Sequence, residues 1–168
     1  MACSWRGRAW RRRSRSCEPR LRILGVDYGE RRIGLALSDP TCTIASPLDT
    51  LTYRRGKRPP LQQIVTVART NQVERIVLGL PLAPSGEENE RCSEVRRIGA
   101  ELGRRLEVPV DYVDERLTSV QAQRVVRGLA LKRSERERKE RVDAVAAALI
   151  LQRWLDGRAH EGRWGPPP

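Results

Sequence analysis
Histidine is nearly missing from these 168 residues. The single one, His160, lies in a polar C-terminal stretch, which removes Ser-His-Asp relays, Cys-His pairs and the HExxH zinc motif. Phenylalanine is absent, and of four tryptophans Trp5, Trp10 and Trp164 fall in the terminal tails. Extensive base stacking is therefore not the expected way of holding a nucleic acid. The four cysteines (Cys3, Cys17, Cys42, Cys92) are scattered, with no CxxC pair. That speaks against a zinc site and a disulfide framework, and fits a reducing, cytoplasmic setting. The longest uncharged apolar run, 144–151, is far shorter than the roughly 20 residues of a membrane span. No apolar core follows the first arginines, so neither a signal peptide nor a membrane partner is expected.

Lysine is scarce too: Lys57, Lys132 and Lys139 stand among 33 basic residues. The formal net charge of +12 points to an anionic partner, most simply nucleic acid. Much of it sits in residues 1–22, where arginines face only Glu18. Arginine's planar fork suits phosphate, although a GC-rich genome would give the same bias. Residues 1–20 are expected to form a disordered basic extension, 21–156 the folded domain, and 157–168 a flexible tail. An idle extension, a phosphate-gripping arm and an organelle transit peptide are competing readings of the first segment.

What is present alternates strand and helix. Residues 21–28 and 33–38 read as strands around a turn at Gly29-Glu30-Arg31-Arg32. A third short strand is expected near 44–51, interrupted by Pro47. Leu61, Ile64, Val65 and Ala68 then fall at helical spacing. "RIVLGL" (75–80) suits a strand buried on both faces, and "VPVDYVDE" (108–115) is the next. Between them Val95, Ile98, Gly99, Leu102 and Leu106 form a helical stripe. Thr118-Ser119-Val120-Gln121 has the form of a capping box, and Ser134-Glu135-Arg136-Glu137 caps a long helix to about Asp156. The order predicts an α/β domain, antiparallel early and parallel later.

Three acids do not fit a purely structural reading. With Glu30 and Arg31 at the hairpin tip, Asp27 faces Gly34 and Gly25 faces Ala36, so Asp27 looks over a floor almost without side chains. A poorly solvated carboxylate needs a compensating cation, either an arginine such as Arg31 or Arg32 or a metal ion. Glu115 ends the last strand, at the sheet edge where open α/β sheets bind ligands. Asp143 heads an apolar helical stripe with Ala147, Ile150 and Trp154; the alternative is rotation outward to Arg138, Lys139 or Arg141. Acids on three separate elements can hold Mg²⁺ or Mn²⁺ for phosphoryl displacement.

"GVDYGERRIGLALSD", "IVLGLP", "VDERLTS" and "RVDAVAAALIL" together resemble the YqgF family, also called RuvX, of Holliday junction resolvases or pre-16S rRNA nucleases. The resemblance runs from about Ile23 to Trp154. It implies a ribonuclease H-like fold, with a five-stranded mixed sheet flanked by helices. It also implies a metal-dependent nuclease, a hydrolase of phosphodiester bonds, acting on precursor 16S rRNA in ribosome biogenesis. Branched DNA, or nucleic-acid binding without catalysis, are the alternatives. It places the acidic positions on Asp27, Glu115 and Asp143. Arg116, Lys139 and Arg141 are candidates for gripping phosphate. The loop Ala83-Pro84-Ser85-Gly86 departs from the family's pattern, and Arg141 replaces its usual lysine. "DYGERRIG" also resembles the phosphate loop of actin-like kinases, but those need two such domains around the nucleotide.

Overall fold
A computed structural model describes residues 22–54, 56, 58–83, 85–115 and 135–160. The first hairpin joins β1 (Arg22–Tyr28) to β2 (Arg32–Ser38), its turn closed by Gly29 N–H donating to Arg32 O at 2.9 Å. The register is the expected one: Gly25 lies opposite Ala36 and Asp27 opposite Gly34. β3 (Ala45–Thr52) adds antiparallel to β2. Its ladder steps from Asp49 to Pro47 across Leu35 and Ala36, so Leu48 is bulged. Proline cannot donate to a ladder, which suits this edge strand.

After α1 (Leu61–Thr70), β4 (Val73–Leu80) runs parallel to β1. α2 (Glu90–Leu106) starts where Asn89 Oδ1 accepts from Cys92 N–H at 3.1 Å. It stops at Glu107, whose left-handed backbone (φ 57°) breaks the helix. β5 (Val110–Asp114) then adds parallel to β4, giving the order β3-β2-β1-β4-β5. The final element is α3 (Glu135–His160).

Alternation along the strands separates two apolar layers. Leu24, Val26, Ile76 and Leu78 pack with Ile64, Val65, Val95 and Leu102 of α1 and α2. Ile23, Ala36 and Val77 face Ala147, Ile150, Leu151 and Leu155 of α3. Each fully buried leucine or isoleucine here contributes roughly 1.5–3 kcal/mol. The second layer is thin because both sides are small. A Cβ built on Gly25 would lie 2.8 Å from Leu151 Cβ and 3.0 Å from the Ala147 carbonyl.

α3 is pinned at both sheet edges. Gln152 Oε1 accepts from Ala45 N–H at 2.9 Å and its Nε2 donates to Thr43 O at 3.0 Å. Arg153 donates to Asp114 O at 3.1 Å. The helix continues past Asp156, and there Arg158 lies over Trp154 (4.8 Å) and pairs with Asp111 (3.8 Å). Arg75 covers Trp154 as well, at 5.6 Å. The helix expected from Thr118 lies outside the described residues, among which no helix is long and apolar enough to cross a membrane.

Candidate active site
Asp27 projects from the β1 face that carries Ile23 and Gly25, toward α3. Glycine flanks it on both sides: Gly34 is its partner on β2, and on β4 Gly79 follows Leu78, the partner of Val26. A Cβ on Gly34 would overlap the Asp143 carbonyl, and a Cβ on Gly79 would overlap the Glu115 carboxyl. The two missing side chains therefore mark the places where the other two acids close in on Asp27.

Glu115 is held just beyond β5, where its N–H donates to Leu80 O at 3.2 Å and prolongs the β4–β5 ladder. Its Oε1 is buried, and its carboxyl shares a hydrogen bond with Asp27. Burial raises the Asp27 pKa to about 6; the bond to Glu115 and the Arg91 charge oppose that rise, while the Asp143 charge adds to it. Glu115 is raised further, to about 8, by burial first and then by the charge and hydrogen bond of Asp27. Two half-buried carboxyls in contact cannot both ionise cheaply. One proton kept on Glu115, the more weakly acidic of the two, relieves that repulsion.

Asp143 arrives from α3 with its backbone against Gly34. Its Oδ2 accepts a hydrogen bond from Arg32 Nε, forming an ion pair between β2 and the helix. The structure thus brings Asp27 and Glu115 into direct contact and sets Asp143 beside them on Arg32. Among the described residues, no three acidic, histidine or cysteine side chains gather around one point closely enough for a metal ion. Arg116 lies outside the described residues, as do the side chains of Lys139 and Arg141 on α3.

Three contributors were not read from the sequence. Gly79 looked like an apolar strand position, and only its register beside Asp27 reveals its part. Arg32 is a candidate partner for Asp27 in the sequence, whereas in the fold it pairs with Asp143. Arg91, at the start of α2, had no local signal; only the fold brings its charge to the carboxyl pair.

Residues 21–157 match the family model described as RuvX, Holliday junction resolvase. The chain belongs to the RuvX family. Among RuvX relatives, one from Thermosynechococcus vestitus is 37% identical over 141 residues, covering 84% of this chain and 91% of the relative. One from Chloroflexus aurantiacus is 43% identical over 136 residues, covering 81% and 87%. Both are named as candidate pre-16S rRNA nucleases. Thermus thermophilus RuvC, solved with a Holliday junction substrate, superposes with a TM-score of 0.51 over 83% of this chain and 96% of RuvC. At 17% identity that likeness speaks for the fold alone, which is the ribonuclease H-like α/β fold expected of RuvX.

Proposed function
We propose that this RuvX protein is a cytoplasmic, metal-dependent nuclease that hydrolyses phosphodiester bonds at the 5′ end of precursor 16S rRNA. The observation that carries this reading is the convergence of the half-buried Asp27 and Glu115 carboxyls at the carboxyl ends of β1 and β5, where burial and neighbouring negative charge raise both pKa values. A cluster of this kind is stable either protonated or with a cation in the proton's place. Its donors are all carboxylate oxygens, the hard ligands that suit Mg²⁺ or Mn²⁺. The residues therefore fit the ion that the family resemblance implies.

Asp27, Glu115 and Asp143 would hold the ion, which when bound acidifies water and neutralises charge on a phosphate. Once both are ionised, Asp27 and Glu115 are two acceptors at the same place. Glu115, the more weakly acidic of the two, is suited to orient the attacking water and take its proton. Attack in line on the phosphorus breaks the bond to the 3′ oxygen, leaving a 3′-hydroxyl and a 5′-phosphate. Arg116, Lys139 and Arg141 are assigned to the phosphate backbone. With few aromatics, backbone and shape dominate binding, so affinity falls with added salt.

The family's description favours one second reading, cleavage of branched DNA. A Mg²⁺-dependent cleavage assay on a precursor 16S 5′ end, run beside a four-way DNA junction, separates the two. The proposal expects RNA cleavage that Asp27→Asn and Asp143→Asn abolish while RNA binding persists. Cleavage of the junction alone would favour the second reading. Binding without cleavage in any divalent metal would make the chain a non-catalytic binding factor.

A further inference from the structure
Arg32 and Asp143 form an ion pair beside the carboxyl pair. Arg32 stands at the start of β2, with its side chain 37% exposed, and its Nε donates to an Asp143 carboxylate that is only 22% exposed. The guanidinium is thus reachable from solvent, and so by a phosphate. The helix backbone at Asp143 packs directly on Gly34, its carbonyl occupying the space a side chain there would need. The Asp143 carboxylate can change partners by rotating about its own side-chain bonds. Its charge is felt at Asp27, so it stands beside the carboxyl pair.

We infer that Arg32 is a positioning residue that withholds Asp143 from the ion until a nucleic-acid phosphate takes the guanidinium in exchange. This rests on the nuclease reading above. Without nucleic acid, Asp143 is neutralised by Arg32 and the site offers the carboxyl pair alone. A backbone phosphate pairs with the Arg32 fork, the ion pair opens, and Asp143 turns toward Asp27 and Glu115 as the third ligand. Phosphate and divalent ion then promote one another's binding. Linkage requires the same factor in both directions. The arrangement keeps the ion weakly held until substrate is present.

The test measures Mn²⁺ affinity by electron paramagnetic resonance, with and without a cleavage-resistant phosphorothioate RNA oligonucleotide. Wild type should bind Mn²⁺ about threefold or more tightly when the RNA is present, the size expected for release of one part-exposed ion pair. Arg32→Gln should bind Mn²⁺ more tightly than wild type without RNA, and adding RNA should change that affinity little. Loss of a nearby positive charge would by itself tighten cation binding, so Arg91→Gln serves as the control. It should keep the RNA-dependent enhancement that Arg32→Gln loses. Arg32→Lys, which keeps the charge without the fork, should show an intermediate enhancement and guards against misfolding of Arg32→Gln. Equal enhancement by RNA in wild type and in both Arg32 variants would overturn the exchange while leaving the metal site standing. Absence of Mn²⁺ binding by wild type, even with RNA, would overturn both.

Discussion

Gly34 and Asp143 touch through backbone, strand against helix, with no room for a side chain between them. The obstacle to any larger residue is a carbonyl on a helix fixed at Gln152 and Arg153, so it cannot yield by a rotamer change. Gly34→Ala should therefore lift the start of the buried part of α3 and cost about 1–3 kcal/mol. That corresponds to a fall in Tm of roughly 3–10 °C for a domain of this size, read by thermal unfolding.

Gly79→Ala should behave differently. There the added methyl meets the end of the Glu115 side chain rather than backbone. Stability should change by no more than about 0.5 kcal/mol, because that side chain can swing away. The carboxyl would leave Asp27, and Mn²⁺ affinity and cleavage should fall together. Unfolding and Mn²⁺ titration of the same preparation check both expectations.

The Asp27–Glu115 pair gives stability an unusual slope with pH. Both groups titrate higher in the folded protein, about 6 and about 8, than in an unfolded chain, where carboxyls titrate near 4. Their contribution is fully present below the unfolded values and is lost as pH rises through the folded ones. The metal-free protein should thus lose stability between about pH 4 and pH 8. Asp27→Asn removes the Asp27 share of that loss and the part of the Glu115 shift that Asp27 causes, so it should unfold at a higher temperature than wild type at pH 8 and not at pH 4. Saturating Mg²⁺ should narrow the gap at pH 8 by stabilising only wild type. Thermal melts across pH, with and without Mg²⁺, measure it.

Asp39 has the opposite sign. Burial alone would raise its pKa, but hydrogen bonds from Ile44, Thr41 and Thr43 outweigh that and lower it to about 2. Its Oδ1 accepts from Thr43 N–H and Ile44 N–H, both at 2.7 Å, and its Oδ2 from Thr41. The contribution is present above about pH 4 and is lost as pH falls through 2. Asp39→Asn should flatten that acid limb while leaving cleavage at neutral pH unchanged. Acid unfolding curves and the RNA assay test the two halves.

Local pattern was enough to place Asp27 and Asp143. The hairpin tip sets the Asp27–Gly34 register, and the spacing of Ala147 and Ile150 puts Asp143 on the buried side of its helix. Glu115 was legible from its position after a strand. Gly79 was not, because its meaning depends on β4 lying beside β1, a pairing made across a helical crossover. The choice of Arg32 over Arg31 as the partner of Asp143 was hidden for the same reason: it joins residues 111 positions apart. Sequence periodicity reports which face a residue takes, and only the assembled sheet reports what stands opposite.

The most direct measurement is the anomalous diffraction of a crystal of this protein soaked in Mn²⁺ at neutral pH. A Mn²⁺ peak within ligand distance of both the Asp27 and Glu115 carboxylates, with their shared hydrogen bond gone, is the predicted result. Saturating Mn²⁺ with no peak there, and the two carboxyls still bonded to each other, would contradict the account.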